Sequence, residues 1–552
     1  MIRKIGQGVA GAALLIGVVT VFARIVGFGR YVVQSQTVGN FCLSTAYNTA
    51  NYVPNIIFEL VAGGALAGTV VPVLASAASR SGTDPEARAE VGRTTSALLT
   101  WVLLILVPFT LLIAVFAGPI VTLLVGDVGD AADCEVTEVV RAGTGMLVVF
   151  APRMIFFGLA VILYGVLQAH RRFLGPALAP LVSSLFIVGS YLVFRRVGGG
   201  AARDLGDLDT TAQLTLSLGA TIAAAAMVLT VAGPMAGLGL RLRPSLSFPP
   251  GVAVRARRLA TAGIAVLVAQ QITLTMVVRL ANDLGGAGAT GVYTYAWALY
   301  QLPFAVLVVP IATSSFPVLS TRAGDGDRAG FDDLTSVTTR VILLVTGLAA
   351  GIMAAVAVPV SRVFVEGTPG GDPAEMAGAV VFFAPGLVGY ALMFHLARVL
   401  YACGRGRSAA IASVAGWVVA LLAQVVLARA TGDRPAVVGQ LALGSTVGMT
   451  LGGVLLVLAV LRARGAAALA GAWRGLLAAV AGGLAAYAAG LAVATAFDDV
   501  SKWMCVAVGL GAALAGSVAF AAVAALIDGP DVRMLLVRFG RMSGSEGSRT
   551  DD

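Results

Sequence analysis

The sequence predicts an all-α polytopic membrane protein of about fourteen transmembrane helices, two pseudo-symmetric six-helix lobes followed by two C-terminal helices. Three observations carry that prediction. Apolar stretches long enough to span a bilayer recur through a chain of 552 residues that is 58% hydrophobic and 12% charged, with a mean hydropathy of +0.92. Every second connection between them is rich in arginine. Short segments of the first half are echoed in the second.

The stretches fall at 8–33, 45–77, 95–120, 141–168, 176–195, 213–240, 258–282, 290–319, 335–360, 378–402, 408–430, 437–461, 472–496 and 503–527. The first follows a short basic start, Arg3 and Lys4, and no convincing small-residue cleavage site comes after it, so it reads as a retained span. Pro54, Pro72, Pro152, Pro303, Pro310 and Pro317 predict kinks. An even number of spans puts both termini on one side. The arginines make that side cytoplasmic: about 24 of the 37 basic residues fall there and about seven outside. The acidic segment GDVGDAADCEVTE (126–138) falls outside.

TVVPVLASAASRSG (69–82) is echoed by SSFPVLSTRAGDGD (314–327), and GVLQAH (165–170) by RVLYAC (398–403). This repeat predicts an N-terminal lobe over 1–240 (helices 1–6), a C-terminal lobe over 241–465 (helices 7–12), two additional helices over 466–530 and a disordered cytoplasmic tail over 531–552.

A net charge of +9 and a pI of about 9.7 would suit nucleic acid in a soluble chain. Here the charges are dispersed among short loops, without a basic block or interleaved aromatics, so no nucleic-acid partner is expected. His170 and His395 are isolated and lack metal-ligand spacing; no nucleotide loop or catalytic triad is visible, so neither metal, cofactor nor catalysis is expected, and the chain is read as a monomer. Cys42 and Cys134 both fall in expected external connections, where a disulfide can form; two free buried thiols are the alternative. Cys403 and Cys505 lie at other levels.

Six arginines sit within or near the spans: Arg24, Arg30, Arg141, Arg153, Arg279 and Arg398. Against them stand Glu59, well inside a span, and Asp283 at a helix end. An arginine at the bilayer centre costs roughly 2.5 to 3.5 kcal/mol by insertion scales, and such residues face a cavity or a partner. One carboxylate cannot neutralise six guanidiniums. A solvated chamber with excess positive charge suits phosphate or carboxylate, which arginine holds through two parallel hydrogen bonds. The alternative is that Ile5–Ala23 spans alone, with Arg24 and Arg30 marking its outer end or snorkelling to headgroups. Arg141 and Arg153 are weaker candidates, Arg141 because it can begin its helix, and Arg398 can snorkel inward. Arg279 follows Gln270, Gln271, Thr273 and Thr275, a polar stripe that suits a cavity wall.

From about residue 20 to 460 the chain resembles the MurJ (MviN) lipid II flippase family of the MOP exporter superfamily. The likeness lies in RIVGFGR (24–30), VPNIIFELVAGGALAGTVVPVLA (53–75), YGVLQAHRRFLGPALAP (164–180) and YAWALYQLPFAVLVVPIATSSFPVLS (295–320), of which QAHRRF followed by PALAP is the most specific. The resemblance implies a fourteen-helix protein of the bacterial cytoplasmic membrane. It would move a polyprenyl-diphosphate-linked peptidoglycan precursor from the inner to the outer leaflet by alternating access. Cell-wall synthesis proteins are possible partners. Arg24 and Arg30 match the arginines that meet the diphosphate in a central cavity, Glu59 and Gln301 are weaker substrate-binding candidates, and a groove made with the last two helices would take the polyprenyl tail.

The chain departs from the family pattern at several charged positions. Tyr31 stands where an aspartate follows the second arginine, Thr45 in place of another aspartate, and Phe58 and Gly63 in place of an arginine and a glutamate. Trp297, Ala298 and Gln301 replace an Asp-Arg pair and a glutamate in the eighth helix. Arg279 and Arg398 are candidates to compensate. These departures keep two other readings open: a non-transporting paralog that scaffolds cell-envelope synthesis, and a multidrug or other polyprenyl-linked glycan exporter of the same superfamily.

Overall fold

The computed structural model describes residues 2–60, 67–127, 134–198, 200–202, 204–248, 252–497 and 500–544. Among these there is no strand. In lipid a backbone must satisfy its own hydrogen bonds, and helices do so locally.

By packing the chain divides into two units. Unit 1 comprises Met1–Thr294 and Gly367–Gly371; unit 2 comprises Tyr295–Glu366 and Asp372–Asp552. Unit 1 contains α1 (Ile2–Val38), α2 (Cys42–Leu60), α3 (Ala67–Arg80), α4 (Pro85–Val115), α5 (Ala117–Val125), α6 (Val136–Phe150), α7 (Arg153–Ala169), α8 (Leu174–Val197), α9 (Thr210–Ala236) and α10 (Val252–Leu280). The division falls inside α11 (Ala289–Pro303). Unit 2 continues with α12 (Val309–Gly324), α13 (Arg328–Ala355), α14 (Ala357–Val365), α15 (Pro373–Phe383), α16 (Gly386–Ala402), α17 (Gly406–Ala430), α18 (Val437–Arg464), α19 (Ala472–Ala496) and α20 (Met504–Gly544).

The expected apolar stretches have helical counterparts among the described residues, but the count of fourteen spans is not reached. Eleven helices among the described residues are long and apolar enough to cross a membrane, twelve if the pair α15–α16, bent by 43°, is one span. Of the other expected stretches, 8–33 falls on α1, and 45–77 includes residues 61–66, outside the described set, between α2 and α3. Gly63 lies there too. Helix starts outside the apolar stretches use aspartate: Asp84, Asp209, Asp327 and Asp372 accept hydrogen bonds from first-turn amides. The prolines act unequally. Pro152 separates α6 from α7, and Pro303 precedes a π-helical turn at Phe304–Val308, whereas Pro54 and Pro317 sit inside continuous helices. Pro310 occupies the first turn of α12, where its missing N–H is harmless.

In unit 1, α1 packs along α8, and α8 along α9; α2 lies against α6 and α7; α10 packs on α2, α3 and α5. The repeat put the lobe division near 240, but these contacts group α10 with the preceding helices. One apolar core gathers Tyr47, Met146, Leu147, Phe150 and Tyr191, and a second Leu74, Leu106, Phe157, Ile162 and Leu167. Cys42 and Cys134 form a disulfide with Cα atoms 5.8 Å apart.

In unit 2, α13 is covered by α12, α16, α19 and α20, while α18 packs on α15, α16 and α17. The last two helices are therefore part of this unit's packing. The backbone of α20 remains helical to Gly544 apart from Asp528, across the start of the tail expected to be disordered. Lipid tails are as apolar as leucine, so helix pairs gain from close backbone approach at small residues. The α17–α18 pair shows this. Gly444, Gly448 and Gly452 face Gln424, Ala420 and Gly416 in turn, an antiparallel register of four-residue steps, and a Cβ added at Gly444 would lie 2.6 Å from the Gln424 amide nitrogen.

A Gly448→Val substitution should therefore destabilise unit 2 by about 1–3 kcal/mol through overpacking, read as a lowered melting temperature of the purified protein in detergent. A second prediction concerns the loop after α14. Arg362 donates to Glu366 at 2.6 Å, and that bond holds the carboxyl below its ordinary 4.5. A depressed folded-state value means the stabilisation is present above 4.5 and lost as pH falls through the lowered value. The pair is partly solvated, so Glu366→Gln should cost only about 0.5 kcal/mol at neutral pH and the difference should vanish in acid.

Candidate functional site

α1 packs against α8, and its C-terminal half carries Arg24, Arg30, Gln34 and Ser35. Arg30 is half-buried; its Nη2 donates to the Tyr31 hydroxyl at 3.1 Å and its guanidinium lies 4.9 Å from the Tyr31 ring centre. One turn on, Gln34 donates to Asn48 Oδ1 at 2.9 Å and accepts from the Tyr191 hydroxyl at 3.2 Å, which in turn meets the Tyr47 hydroxyl at 3.0 Å. Asn48 closes the chain by donating to Ser44.

Arg153 enters the same region from the break after Pro152. It is 5% exposed, donates to Asn51 Oδ1, and lies 5.2 and 5.3 Å from the ring centres of Phe150 and Phe157. Its buried Nε has no hydrogen-bond partner among the described residues. Arg30 and Arg153 are close enough to act on each other electrostatically, with Tyr47 and Tyr191 between the same influences. Neither guanidinium has a carboxylate partner among the described residues.

Arg24 does not join this cluster. Six residues along a helix correspond to about 9 Å of rise and a rotation of about 120° away from Arg30. Arg24 is exposed and makes no hydrogen bond or ion pair with a described residue. Glu59 is exposed near the end of α2 and accepts from Gln271 Nε2 at 3.2 Å; Tyr52 hydrogen-bonds the same turn of α10 through Gln271 O and Thr275, both at 3.5 Å. Arg279 pairs with Asp283 at 2.7 Å across the start of the π-helical turn Ala281–Gly285, and Asp283 also accepts from the Asp127 amide at 3.1 Å. Gly126, at φ 64°, leaves room for that guanidinium where a Cβ would collide with it. The Arg279 charge is thus matched locally. Arg141 is exposed and 3.5 Å from Glu138.

In unit 2, Gln301 is half-buried in α11 and its buried Oε1 accepts no hydrogen bond among the described residues. Arg398 on α16 donates to Phe394 O at 2.8 Å and lies 3.5 Å from the Phe394 ring centre. It ends an aromatic ladder: Trp297 on Tyr300, Tyr300 near Tyr390, Tyr390 on Phe304, and Phe304 edge-on to Phe394. His395 is fully buried beside Thr338, and His170 contacts Ser81 at 3.2 Å.

From the sequence Arg153 is a weaker candidate than Arg24 and Arg30. Its signal was position: it lies midway through the 34-residue apolar stretch Val136–Ala169, immediately after a proline. Its partners Asn51, Tyr47 and Tyr191 come from other helices and carry no local signal.

The fold has close solved counterparts. It superposes with a TM-score of 0.70 on a structure titled "Lipid II flippase MurJ, inward closed conformation", covering 93% of this chain and 98% of that one at 18% identity. It superposes at 0.63 on an inward-facing multidrug resistance MATE family transporter of the MOP superfamily, covering 81% and 95% at 13% identity. The fold is therefore the one seen in these two solved structures.

Residues 35–508 match the family described as "Lipid II flippase MurJ", and the chain belongs to that family. It is 26% identical over 406 residues to the lipid II flippase MurJ of Burkholderia cenocepacia (71% of this chain, 73% of that one) and 26% identical over 430 residues to a protein of Synechocystis sp. called "Probable lipid II flippase MurJ" (73% of each). A protein of Rhizobium meliloti with that same name is 25% identical over 355 residues, 64% of this chain; the alignment spans 62% of the Rhizobium protein.

A buried guanidinium without a carboxylate costs stability. Replacing Arg153 by methionine, of similar volume, should leave the melting temperature unchanged or raise it, since an apolar isostere of a buried ion is often neutral or stabilising by about 1–4 kcal/mol. The same variant should lose the protein's cellular function. A large drop in melting temperature for Arg153→Met would instead make Arg153 a structural brace.

Proposed function

We propose that this chain is a lipid II flippase, moving an undecaprenyl-diphosphate-linked peptidoglycan precursor across the bacterial cytoplasmic membrane by alternating access, with both termini in the cytoplasm. The observation that carries the reading is the Arg30–Arg153 pair, two guanidiniums in a helical membrane unit with neutral acceptors and rings around them instead of carboxylates. A diphosphate supplies the missing charge, and arginine binds it through charge-assisted, two-point hydrogen bonds. Family membership gives the reaction; the charge gives the end of the substrate that is held.

In this mechanism Arg30 and Arg153 hold the diphosphate in one state. Arg24 is exposed on the same helix and receives or releases it in the other. Glu59 with Gln271 serves as a polar pair for the sugar-peptide head, and Gln301 and Arg398 are substrate-contact candidates of unit 2 taken by itself. Arg279 acts through its tie to Asp283, fixing the end of α10. The exposed leucines and valines of α19 and α20, among them Leu484, Leu510 and Leu514, suit a polyprenyl chain. Each state needs its own contacts with the headgroup, since a ligand held equally in both shifts no population. The Cys42–Cys134 bridge would lie on the outer side, and the chain would work as a monomer whose halves are the two repeat-related lobes.

Multidrug export is the weaker reading because cation coupling draws on membrane carboxylates. Glu59 is bonded to Gln271 and Asp283 to Arg279.

The test is complementation of a flippase-depleted strain together with an assay of lipid II exposed on the outer leaflet. Arg30→Ala and Arg24→Ala should each lower exposure about 10- to 100-fold at wild-type expression, the range of one charged hydrogen bond. Full rescue by both variants would overturn the diphosphate role, and failure of the wild-type chain to expose lipid II would overturn the substrate.

A further inference from the structure

We propose a second anion site, unrelated to the Arg30–Arg153 cluster: a pocket in unit 2 that binds the phosphodiester headgroup of an anionic membrane lipid. The pocket is a cavity of about 550 Å³, and its walls include Arg322, Arg328, Arg405 and Arg464, with Phe331 and Cys403. The arginines come from four places in the sequence, the end of α12, the start of α13, the turn before α17 and the end of α18. Retention of basic loops on one side of a membrane requires only that arginines be present there. It does not require four of them to converge on one cavity.

Two of the four are fixed as a frame. Arg464 donates from Nε to Asp332 Oδ1 at 2.8 Å and from Nη2 to Arg328 O at 3.0 Å, with its guanidinium 4.6 Å from the Phe331 ring centre. Arg322 donates to Gly330 O and lies 4.0 Å from Asp327. The other two, Arg328 and Arg405, are exposed, and their guanidiniums make no hydrogen bond or ion pair with a described residue.

The acidic residues nearby do not cancel the charge. Asp332 is engaged by Arg464, and Asp327 caps α13 by accepting from the Gly330 amide at 2.9 Å. Among the residues that line the cavity, four guanidiniums face one carboxylate, Asp327, so the lining is net positive and two of its arginines, Arg328 and Arg405, are free. The turns RAGDGDR (322–328) and ACGRGR (402–407) bring them there, each bending through a glycine at φ 73°, Gly326 and Gly404, with open space around it. Arg405 is also the N-cap of α17 and offers no side-chain cap, so first-turn amides of that helix add donors beside its guanidinium.

Position favours a lipid over a soluble anion. The pocket is formed at the ends of spanning helices, the level of the headgroups, and exposed apolar side chains lie within about two turns of it, Val318 on α12 and Leu458 on α18. Basic pockets between spans at this level are suited to lipid phosphates.

The free thiol of Cys403 provides a reporter in the pocket wall; Cys505 is buried, and Cys42 and Cys134 are bonded to each other. The full-length protein is placed in nanodiscs of neutral lipid with increasing phosphatidylglycerol, and labelling of Cys403 by a charged maleimide is followed by mass spectrometry. Phosphatidylglycerol should slow labelling of the wild type. The Arg328→Gln/Arg405→Gln variant should label at the wild-type rate in neutral lipid but need about 30-fold more anionic lipid for the same protection, the effect of removing two guanidiniums from a lipid phosphate. Equal labelling with and without phosphatidylglycerol, or protection that survives in the double variant, would overturn the site. Protection by millimolar inorganic phosphate in neutral nanodiscs would overturn the lipid assignment and give the pocket to a free anion.

Discussion

A guanidinium taken out of water needs electron density around it, and in unit 1 Arg30 and Arg153 find a phenol, an amide and aromatic rings, whereas Arg279 finds Asp283. Arg30 leans on Tyr31, and Arg153 on Asn51 and the rings of Phe150 and Phe157. Magnitudes separate this arrangement from an ion pair. A carboxylate about 4 Å away at an effective dielectric of about 20 attracts a cation by roughly 4 kcal/mol, whereas a cation–π contact contributes about 0.5 to 2 kcal/mol. Rings and neutral acceptors make the cations tolerable without neutralising them, and the remainder of the attraction is left for an anion from outside the chain.

This view gives the departures from the family pattern a common meaning. Where the resemblance leads one to expect an aspartate after Arg30, Tyr31 accepts the Arg30 hydrogen bond without a charge. Thr45 accepts from the Gly288 amide at 2.8 Å, and Phe58 packs on Phe157 with ring centres 4.7 Å apart. Trp297, at another charged family position, begins the aromatic ladder of unit 2 that ends on Arg398. At each point a charged partner has given way to a hydrogen-bonding or aromatic one. Two of the replaced residues are arginines, at Phe58 and Ala298, so the substitutions remove charge of both signs, while Arg30 and Arg153 keep neutral partners.

Periodicity and charge asymmetry made the helices legible, because an apolar run must be helical in lipid whatever surrounds it. They made individual prolines less so: Pro152 and Pro303 coincide with a break and a π-helical turn, but Pro54 and Pro317 lie within continuous helices, and nothing in the local sequence separates the two cases. Arg24 and Arg30, which the resemblance matches to the arginines that meet the diphosphate, stand six residues apart, a spacing that sets them on different faces of the helix. Arg279 and Asp283 stand four residues apart, so their pairing was open to inspection. The Tyr47–Tyr191 contact joins residues 144 apart and only the fold could reveal it.

The two arginine clusters differ in how they are built, and the difference follows from their surroundings. Arg153 is enclosed among rings, with one neutral acceptor, where a carboxylate would pair with it and end its availability. In the pocket of unit 2, water screens the charges, and aspartates can serve as framing: Asp332 immobilises Arg464, and Asp327 starts a helix, while Arg328 and Arg405 stay free. A carboxylate in water costs little and orients its neighbour; the same carboxylate in the apolar bundle would cancel the charge that a ligand needs. Carboxylates therefore stand beside the partly exposed Arg279, Arg322 and Arg464 and, among the described residues, not beside the buried Arg153.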